Sequence, residues 1–414
     1  MFNSLTLSQR KAVLLLSTST FLEYFDVMLY IHMAVVLNEL FFSSSGLKFS
    51  DAIGYTATFA LRPIWALIIG RIGDTIGRKS TVIFTVLLAS TSCILIAVLP
   101  TYSQIGIFAT ILFVFCRITQ GLAAMGEVIG ADIYLMETIK PPAQYPISGL
   151  TTIAASLGGF AALAFASFAV STNFNWRFAF ITGATVTLLT ALARKTLHET
   201  PEFLYAISKA KTKAVHNTTT SNFNFSNKTA LAIFAMDCGW PLGFYLLYAY
   251  CNNILKSKFG YSAEQIINHN LTIGITLLFN HIVITCLSYK FHPLKMLKFR
   301  IFIFSALVIF YPYIVSTASS ASHILALQIL ITFVPIDLVT ATPIILKHIP
   351  TLKRFTYSAF LYSISKAVIT VVTSFGFIYL IEKYGKLGPL FLIVPIVISC
   401  ITGVLYFHKL EFTK

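Results

Sequence analysis

The stretch RPIWALIIGRIGDTIGRK, from Arg62 to Lys79, decides the fold of this chain. An apolar segment reaches Gly70, a short charged turn follows, and a second apolar segment begins at Ser80. Two membrane spans joined by a tight hairpin account for this order. The hairpin glycines allow backbones to approach closely, and its basic residues indicate the cytoplasmic side of a membrane.

The composition of the whole chain agrees with this interpretation. Of its 414 residues, 57% are hydrophobic and only 11% are charged, whereas soluble domains carry roughly 25% charged residues. Apolar segments of about 20 residues, the length that crosses a bilayer, recur throughout. The first apolar run, Ala12 to Leu37, is too long for a signal peptide and contains Glu23 and Asp26. We therefore expect an all-α membrane protein and not a soluble enzyme.

The apolar segments predict twelve spans, and the lysines and arginines predict their orientation. Most of the 30 basic residues fall on one side of the membrane if both termini are cytoplasmic. This distribution between loops also argues against nucleic acid as the partner of a chain with a net charge of +15. The predicted spans are 12–37, 52–72, 79–99, 105–136, 146–171, 176–194, 229–251, 265–289, 299–317, 322–346, 355–381 and 388–408.

One long polar segment divides the chain into two halves. Residues 195–228 contain three closely spaced lysines followed by a run of Asn, Thr and Ser, which cannot bury an apolar face. We predict an N-terminal six-helix half at 1–194, a cytoplasmic linker at 195–228 and a C-terminal half at 229–414. A transporter of two halves places its substrate site between them, near the bilayer midplane.

Ionisable residues inside the spans are candidates for function because they are costly to bury. Glu23 and Asp26 share one face of span one, with Tyr30 a turn further along. Two close carboxylates repel each other when both are ionised, which favours proton exchange. We predict a buried network between them and Arg62 or Arg117, whose guanidinium groups suit a substrate carboxylate. Purely structural ion pairs are the alternative.

Three acidic residues follow along span four. Glu127 lies roughly 15 Å from Arg117 along the helix axis and is either a coupling residue or a helix-packing carboxylate beside Gly126. Asp132 and Glu137 approach the cytoplasmic mouth, where we expect gating pairs with basic residues of the loops.

Span seven carries an aromatic cluster beside a helix breaker. Pro241 is expected to kink the helix, and Trp240, Tyr245 and Tyr248 can then present aromatic faces to a substrate ammonium. Interfacial anchoring of these rings is the alternative.

The second half contains fewer candidates for function. Asp337 is a candidate to pair with Lys366 across the cavity, although Lys366 also suits a water-facing position. His281 has no metal-ligand spacing and is predicted to be a packing histidine, and no metal site is predicted.

Five motifs in order resemble the metabolite:proton symporters of the major facilitator superfamily, the group with proline/betaine, α-ketoglutarate, citrate and shikimate transporters. The motifs are the hairpin, 22–26 with Arg62-Pro63, 117–137 of span four, 197–203 after span six, and 349–362 before span eleven. The sequence LPTY at 99–102 is most similar to the proline/betaine members. The Tyr289–Arg300 segment lacks the aspartate and glycines of the first hairpin.

The resemblance implies a bacterial inner-membrane symporter that works by alternating access as a monomer. Its substrate is a small zwitterion or carboxylate, with proline or betaine favoured, its coupling ion is a proton, and no other cofactor or enzymatic activity is expected. A di- or tricarboxylate symporter and a non-transporting sensor or decayed carrier are the alternatives. The predicted proton-coupling residues are Glu23, Asp26 and Glu127; the substrate-binding residues are Tyr30, Arg62, Arg117, Trp240, Tyr245 and Tyr248; the cytoplasmic gate consists of Gly70, Gly73, Asp74, Gly77, Arg78, Lys79, Glu137 and Arg354.

Overall fold

The computed structural model describes residues 5–42, 61–172, 175–215 and 225–413. Across these ranges every regular element is a helix, and no strand occurs. The all-α prediction is therefore confirmed for the described part of the chain.

The N-terminal half consists of long, mostly uninterrupted helices. Helix α1 packs along α6, and α3 packs between α5 and α7. The elements are α1 (Leu7–Phe41), α2 (Arg62–Thr75), α3 (Arg78–Val98), the short α4 (Tyr102–Ile105), α5 (Ile107–Thr138), α6 (Gln144–Thr172) and α7 (Arg177–Arg194). Within the predicted linker, α8 (Pro201–Val215) follows. The expectation that this linker cannot bury an apolar face is wrong at its start, because Leu197 and Phe203 are buried.

The C-terminal half contains two interrupted helices. Its last helix, Leu390–Phe412, packs against the helices Asn227–Asp237 and Pro293–Thr317. The elements are α9 (Asn227–Asp237), α10 (Gly239–Phe244), a π-helical segment (Tyr245–Tyr250), α11 (Cys251–Phe259), α12 (Ala263–Leu287), α13 (Pro293–Thr317), α14 (Ala321–Phe333), α15 (Thr342–Leu346), α16 (Arg354–Tyr384) and α17 (Leu390–Phe412).

Proline explains both interruptions. Pro241 has no N–H to donate to the carbonyl of Asp237, so the helix breaks at Cys238, just ahead of the proline. Pro335 likewise follows the end of α14 at Phe333, and helix resumes only at Thr342. The continuous span predicted at 322–346 is therefore wrong, because its middle is irregular backbone.

Among the described residues, nine helical stretches are long and apolar enough to cross a membrane. The other three predicted spans coincide with α2, α7 and α14, which are shorter. Residues 52–60 of the second predicted span lie outside the described ranges. Large apolar side chains such as Phe108, Phe302 and Phe310 point outward, as expected of surfaces that face lipid.

The two most extensive helix contacts between the halves pair α2 with α16, and α6 with α12. The first pair depends on hairpin glycines. A Cβ at Gly70 would overlap the backbone of Thr356, and one at Gly73 would overlap the ring of Phe355. We call the end of the molecule that contains Gly70–Lys79 the hairpin end.

Candidate functional site

A cavity of about 940 Å³ lies between the two halves. Helices α1, α5 and α6 line it from the N-terminal half, and α9 to α12, α16 and the break after α14 line it from the C-terminal half. Its volume falls within the range of small-molecule sites. The cavity is therefore the candidate substrate site.

Aromatic rings form much of the cavity wall. Tyr30, Trp240, Tyr245 and Tyr248 all line it, so four of the six predicted substrate-binding residues face the same space. The π-helical segment carries Tyr245 and Tyr248, and π-bulges are frequent at functional sites. Trp240 stacks with Phe244 at 5.4 Å between ring centroids.

Lys366 is held in the cavity wall by aromatic rings. Its Nζ lies 4.0 Å from the ring centroid of Trp240 and 3.9 Å from that of Tyr362, and it donates a hydrogen bond to the Tyr362 hydroxyl. That hydroxyl also hydrogen-bonds with Tyr24 of α1. The expected pairing of Lys366 with Asp337 is thus replaced by an aromatic cage.

Two aspartates line the cavity and have few partners that neutralise their negative charge. Asp132 accepts a hydrogen bond from Thr151 Oγ1 at 3.4 Å, and Asp237 lies within electrostatic range of Lys366. The expectation that Asp132 pairs with loop bases is wrong, because its position on α5 faces the cavity. Asp237 was not predicted as a site residue.

The carboxylates of α1 meet different arginines. Asp26 lies 3.6 Å from Arg117 Nη1, and the same guanidinium stacks 3.9 Å from the ring centroid of Tyr30. Glu23 is within electrostatic range of Arg62 and Lys366. Arg62 and Arg117 are only 4% and 3% exposed, and neither is among the residues that line the cavity.

Glu127 is buried within the N-terminal half. It accepts a hydrogen bond from Ser19 of α1 and is within electrostatic range of Arg194 on α7. Like the two arginines, it is absent from the cavity lining. A Cβ at the neighbouring Gly126 would overlap Thr85, so tight helix packing surrounds this carboxylate.

A chain of polar contacts joins the halves beside the cavity. His281 Nδ1 lies 2.6 Å from Ser156 Oγ on α6, and its Nε2 lies 3.0 Å from Asp337 Oδ2. Arg300 Nη2 lies 3.3 Å from Asp337 Oδ1 and donates to its backbone carbonyl at 2.6 Å. Arg300 is a buried residue of α13.

At the hairpin end, Asp74 of α2 caps a helix of the other half. Its carboxylate accepts hydrogen bonds from the backbone N–H groups of Phe355 and Thr356 at 3.0 and 2.9 Å, and from the Thr356 hydroxyl at 2.7 Å. These N–H groups lie in the first turn of α16, where backbone N–H groups have no hydrogen-bond acceptor within the helix. A negative charge there also interacts favourably with the helix dipole.

Glu137 lies at the centre of the same end. Its side chain is 0% exposed and pairs with Arg78 at 3.1 Å and with Arg354 at 2.7 Å. Arg78 also donates to the backbone carbonyl of Thr351 at 2.6 Å, and Arg354 pairs with Glu202 at 3.0 Å. Because Thr351 and Arg354 belong to the C-terminal half, these contacts hold the two halves together.

Glu199 completes the hairpin. Its carboxylate accepts the backbone N–H groups of Arg78 and Lys79 at 3.1 and 3.3 Å, at the start of α3. Gly77 has a φ of 114°, which favours glycine, and a Cβ there would overlap Glu199. All eight predicted gate residues therefore lie in or against this network.

The sequence interpretation missed several residues of these networks. Glu199 and Glu202 lay in the quoted 197–203 motif but had no assigned partner, and Ser156 and Asp237 carried no signal beyond polarity inside a span. No group of three His, Cys, Asp or Glu side chains suited to a metal ion occurs in the part of the chain that the structure describes.

Comparison with known proteins places this geometry in a family. Residues 16–351 match the Major Facilitator Superfamily model. The solved structure of the proton:xylose symporter XylE bound to 6-bromo-6-deoxy-D-glucose superposes with a TM-score of 0.74 at 14% identity, covering 98% of this chain and 96% of that one.

Curated relatives are transporters from bacteria. The chain is 35% identical to a putative metabolite transport protein of Haemophilus influenzae, over 47% of this chain and 46% of the relative. It is 27% identical to the citrate-proton symporter of Klebsiella pneumoniae, over 77% and 73%, and 27% identical to the proline/betaine transporter of Salmonella typhimurium, over 68% and 60%. The chain thus spans about half the length of the first relative and less than two thirds of the third.

The family match covers most of the chain, and the hairpin, the two halves and the cavity between them agree with it. These relatives are transporters, not enzymes. The chain belongs to the major facilitator superfamily, as its hairpin and span motifs predict.

Proposed function

We propose that this protein is a proton-coupled symporter that carries a small zwitterionic metabolite into the bacterial cell by alternating access. The proposal includes twelve spans, an N-terminal half at 1–194, a linker at 195–228, a C-terminal half at 229–414, and cytoplasmic termini in the inner membrane. The observation that carries it is a cavity between the halves with unlike charges set among aromatic rings.

The charges of the cavity suit a substrate with one positive and one negative group. Lys366 offers an ammonium to a substrate carboxylate, while Asp132 and Asp237 offer carboxylates to a substrate ammonium. Trp240, Tyr245 and Tyr248 add aromatic faces that attract an alkylated ammonium, which is weakly hydrated and binds rings well. Proline and betaine have this pattern of charge.

The same charges disfavour the alternative of a di- or tricarboxylate. Such a substrate brings two or three negative groups close to Asp132, Asp237 and Asp337. Like charges placed together in a partly desolvated site repel strongly. Arg62 and Arg117, which a dicarboxylate would need, lie behind the lining residues and are engaged near α1.

Proton coupling is assigned to Glu23, Asp26 and Glu127. Asp26 balances Arg117, and Arg117 stacks on the cavity-lining Tyr30. Protonation of Asp26 releases the guanidinium from its counter-charge, and movement of the stacked Tyr30 transmits this change to the substrate space. Glu23 has a comparable relation to Arg62 and Lys366.

The hairpin end acts as the cytoplasmic gate in this proposal. Asp74, Arg78 and Glu137 contact the C-terminal half directly, so the gate is closed in this conformation. The halves must break these contacts to release substrate on that side. Alternation then consists of rocking about the cavity, the general mode of two-half transporters.

The test is uptake into proteoliposomes of the purified protein with an imposed pH gradient. A panel of labelled proline, betaine, choline, succinate and citrate distinguishes a zwitterion from a cation and from multivalent anions. We expect accumulation of a zwitterion that collapses when a protonophore removes the gradient. Accumulation of citrate or succinate alone refutes the zwitterion assignment, and no uptake of any solute favours the non-transporting alternative.

Two charge variants sharpen this test. Lys366→Gln removes the ammonium that is proposed to bind the substrate carboxylate. We therefore expect zwitterion binding to weaken by about tenfold or more, with choline binding retained or increased. Asp237→Asn removes a carboxylate that is proposed to bind the substrate ammonium, and we expect it to weaken the binding of both the zwitterion and choline. Equal loss of zwitterion and choline binding in Lys366→Gln contradicts the assigned orientation.

A further inference from the structure

Ser156, His281, Asp337 and Arg300 form one continuous chain of polar contacts that crosses the interface between α6 and α12. Ser156 belongs to the N-terminal half, and the other three belong to the C-terminal half. His281 is 5% exposed and Arg300 is 7% exposed, while Ser156, His281 and Asp337 also line the cavity. The group is thus buried between helices yet adjacent to the space through which substrate passes.

We propose that His281 is a second proton-binding group of this transporter, with Asp337 as its counter-charge and Ser156 as its contact to the other half. It lies in the C-terminal half, apart from the carboxylates Glu23, Asp26 and Glu127. The proposal rests on the proposed function for its link to transport, but proton binding at His281 is measurable without a substrate.

Both protonation states of His281 keep a full set of hydrogen bonds. Its Nε2–H donates to the Asp337 carboxylate at 3.0 Å in either state. When Nδ1 is unprotonated, the Ser156 hydroxyl donates to it at 2.6 Å. When Nδ1 carries a proton, Nδ1–H donates to Ser156 Oγ, whose own hydrogen then turns to the Thr152 carbonyl at 3.1 Å.

The proton balance of the step is simple. One proton passes from cavity water to Nδ1 of His281, and the Ser156 hydroxyl rotates from Nδ1 to the Thr152 carbonyl. The reverse rotation accompanies release. No bond between heavy atoms forms or breaks, and no buried polar group loses its partner, which is the usual obstacle to changing charge in an interior.

The charges around His281 permit a proton to be gained and lost. Asp337 faces it directly, and Arg300 lies behind Asp337. The cluster is therefore neutral with neutral His281 and carries one positive charge when His281 is protonated.

In the described part of the chain, the helices packed against α12 contribute no further ion pair to this cluster. Helix α6 has no acidic or basic residue except Tyr145, which packs against His292 at the hairpin end. Helix α14 has His323 alone, bonded to Ser319 at its start, and Lys256 of α11 and Asp132 of α5 also line the cavity.

Protonation changes the strength of a contact between the halves. A hydrogen bond from an imidazolium to Ser156 is charge-assisted and stronger than one between neutral groups. The protonated state therefore favours the arrangement in which α6 lies on α12, and loss of the proton weakens it. This links a proton taken from the cavity to the movement of the halves.

The test compares His281→Gln with His269→Gln on the same helix. His269 is half-buried and hydrogen-bonds to the neutral Gln328 at 2.7 Å, so it is a control for replacing a hydrogen-bonded histidine of the same helix that has no charged partner. In proteoliposomes, we expect His281→Gln to lose pH-driven accumulation by about tenfold or more, with substrate counterflow kept within about threefold. His269→Gln should retain both. Intact accumulation in His281→Gln, or equal loss of counterflow, overturns the coupling role.

A second measurement requires no substrate and separates this proposal from the proposed function. Spin labels at the exposed positions Ala164 of α6 and Ile275 of α12 report the distance between the halves from about pH 8 to pH 5, where histidine changes charge. We expect the distance distribution to change with pH in the wild type and in His269→Gln, and to change clearly less in His281→Gln. A pH-independent wild type, or an unchanged response in His281→Gln, overturns proton binding at this residue.

Discussion

Replacing Asp74 by asparagine tests how the hairpin end is held closed. The carboxylate accepts three hydrogen bonds from Phe355 and Thr356 of the other half. An amide retains one acceptor oxygen for the two Thr356 donors and turns an NH₂ group toward the Phe355 N–H and the Arg78 guanidinium, which both donate to the other carboxylate oxygen. The variant thus keeps the size of the side chain while removing its charge and one acceptor.

The magnitude follows from these contacts. An unsatisfied buried N–H costs about 1–3 kcal/mol, and each bond that changes from a charged to a neutral acceptor loses about 1 kcal/mol. Asp74→Asn should therefore destabilise the closed hairpin end by roughly 2–4 kcal/mol. At about 1.4 kcal/mol per tenfold, the ratio of closed to open molecules falls by roughly 30- to 1000-fold.

Spin labels at Thr75 and Lys353, which are both exposed, measure this ratio. Cys286, an exposed free cysteine, is first replaced by serine. We expect a long-distance population to appear in Asp74→Asn. Glu264→Gln is the matched control, because Glu264 is an exposed acid in the first turn of α12. A distribution for Asp74→Asn that superimposes on those of the wild type and Glu264→Gln refutes the capping argument.

Three further changes test other parts of the structure. Gly73→Ala places a Cβ inside the Phe355 ring, so the same spin labels should show a more open hairpin end, whereas an unchanged distance contradicts the close packing. Arg117→Lys keeps the charge beside Asp26 but loses the planar stack on Tyr30, and we expect pH-driven uptake to fall about tenfold or more; normal uptake excludes a role for the stack. Burial lowers the pKa of His292, and its neutral Nδ1 accepts a hydrogen bond from the N–H of Leu294 at the start of α13. The neutral ring stabilises the fold fully at a pH above the ordinary histidine pKa of about 6.5. This stabilisation is lost as the pH falls through the lowered pKa of the folded state. The Tm of the wild type should therefore drop more between pH 7.5 and about 5.5 than that of His292→Asn, and equal drops contradict the cap.

The sequence predicted most reliably where a residue lies along a span. Glycine spacing and basic residues located the hairpin, and the helical rise put Glu137 near the same end as Arg78. The quoted 349–362 motif brought Arg354 to that end as well. The pairing of Glu137 with these two arginines follows, because a charged side chain at this depth requires a counter-charge.

The direction in which a residue faces was much harder to predict. In a membrane helix, the lipid-facing and protein-facing sides are both apolar, so the pattern that orients a helix in a soluble protein is missing. Asp132 was therefore expected to pair with loop bases at the cytoplasmic mouth, although it faces the cavity. His281 and Asp337 are 56 residues apart in the chain, and only the packing of α12 against the break after α14 brings them together.

The two broken helices of the C-terminal half meet at their breaks. Gly239, just after the break at Cys238, lies against the backbone carbonyl of Ile336, where a Cβ would overlap. By contrast, α1, α5 and α6 run for 35, 32 and 29 residues without interruption. Bending costs least where helical hydrogen bonds are already absent. We therefore expect these three long helices to move as one unit, and the C-terminal half to bend at the level of the cavity so that its two ends tilt separately.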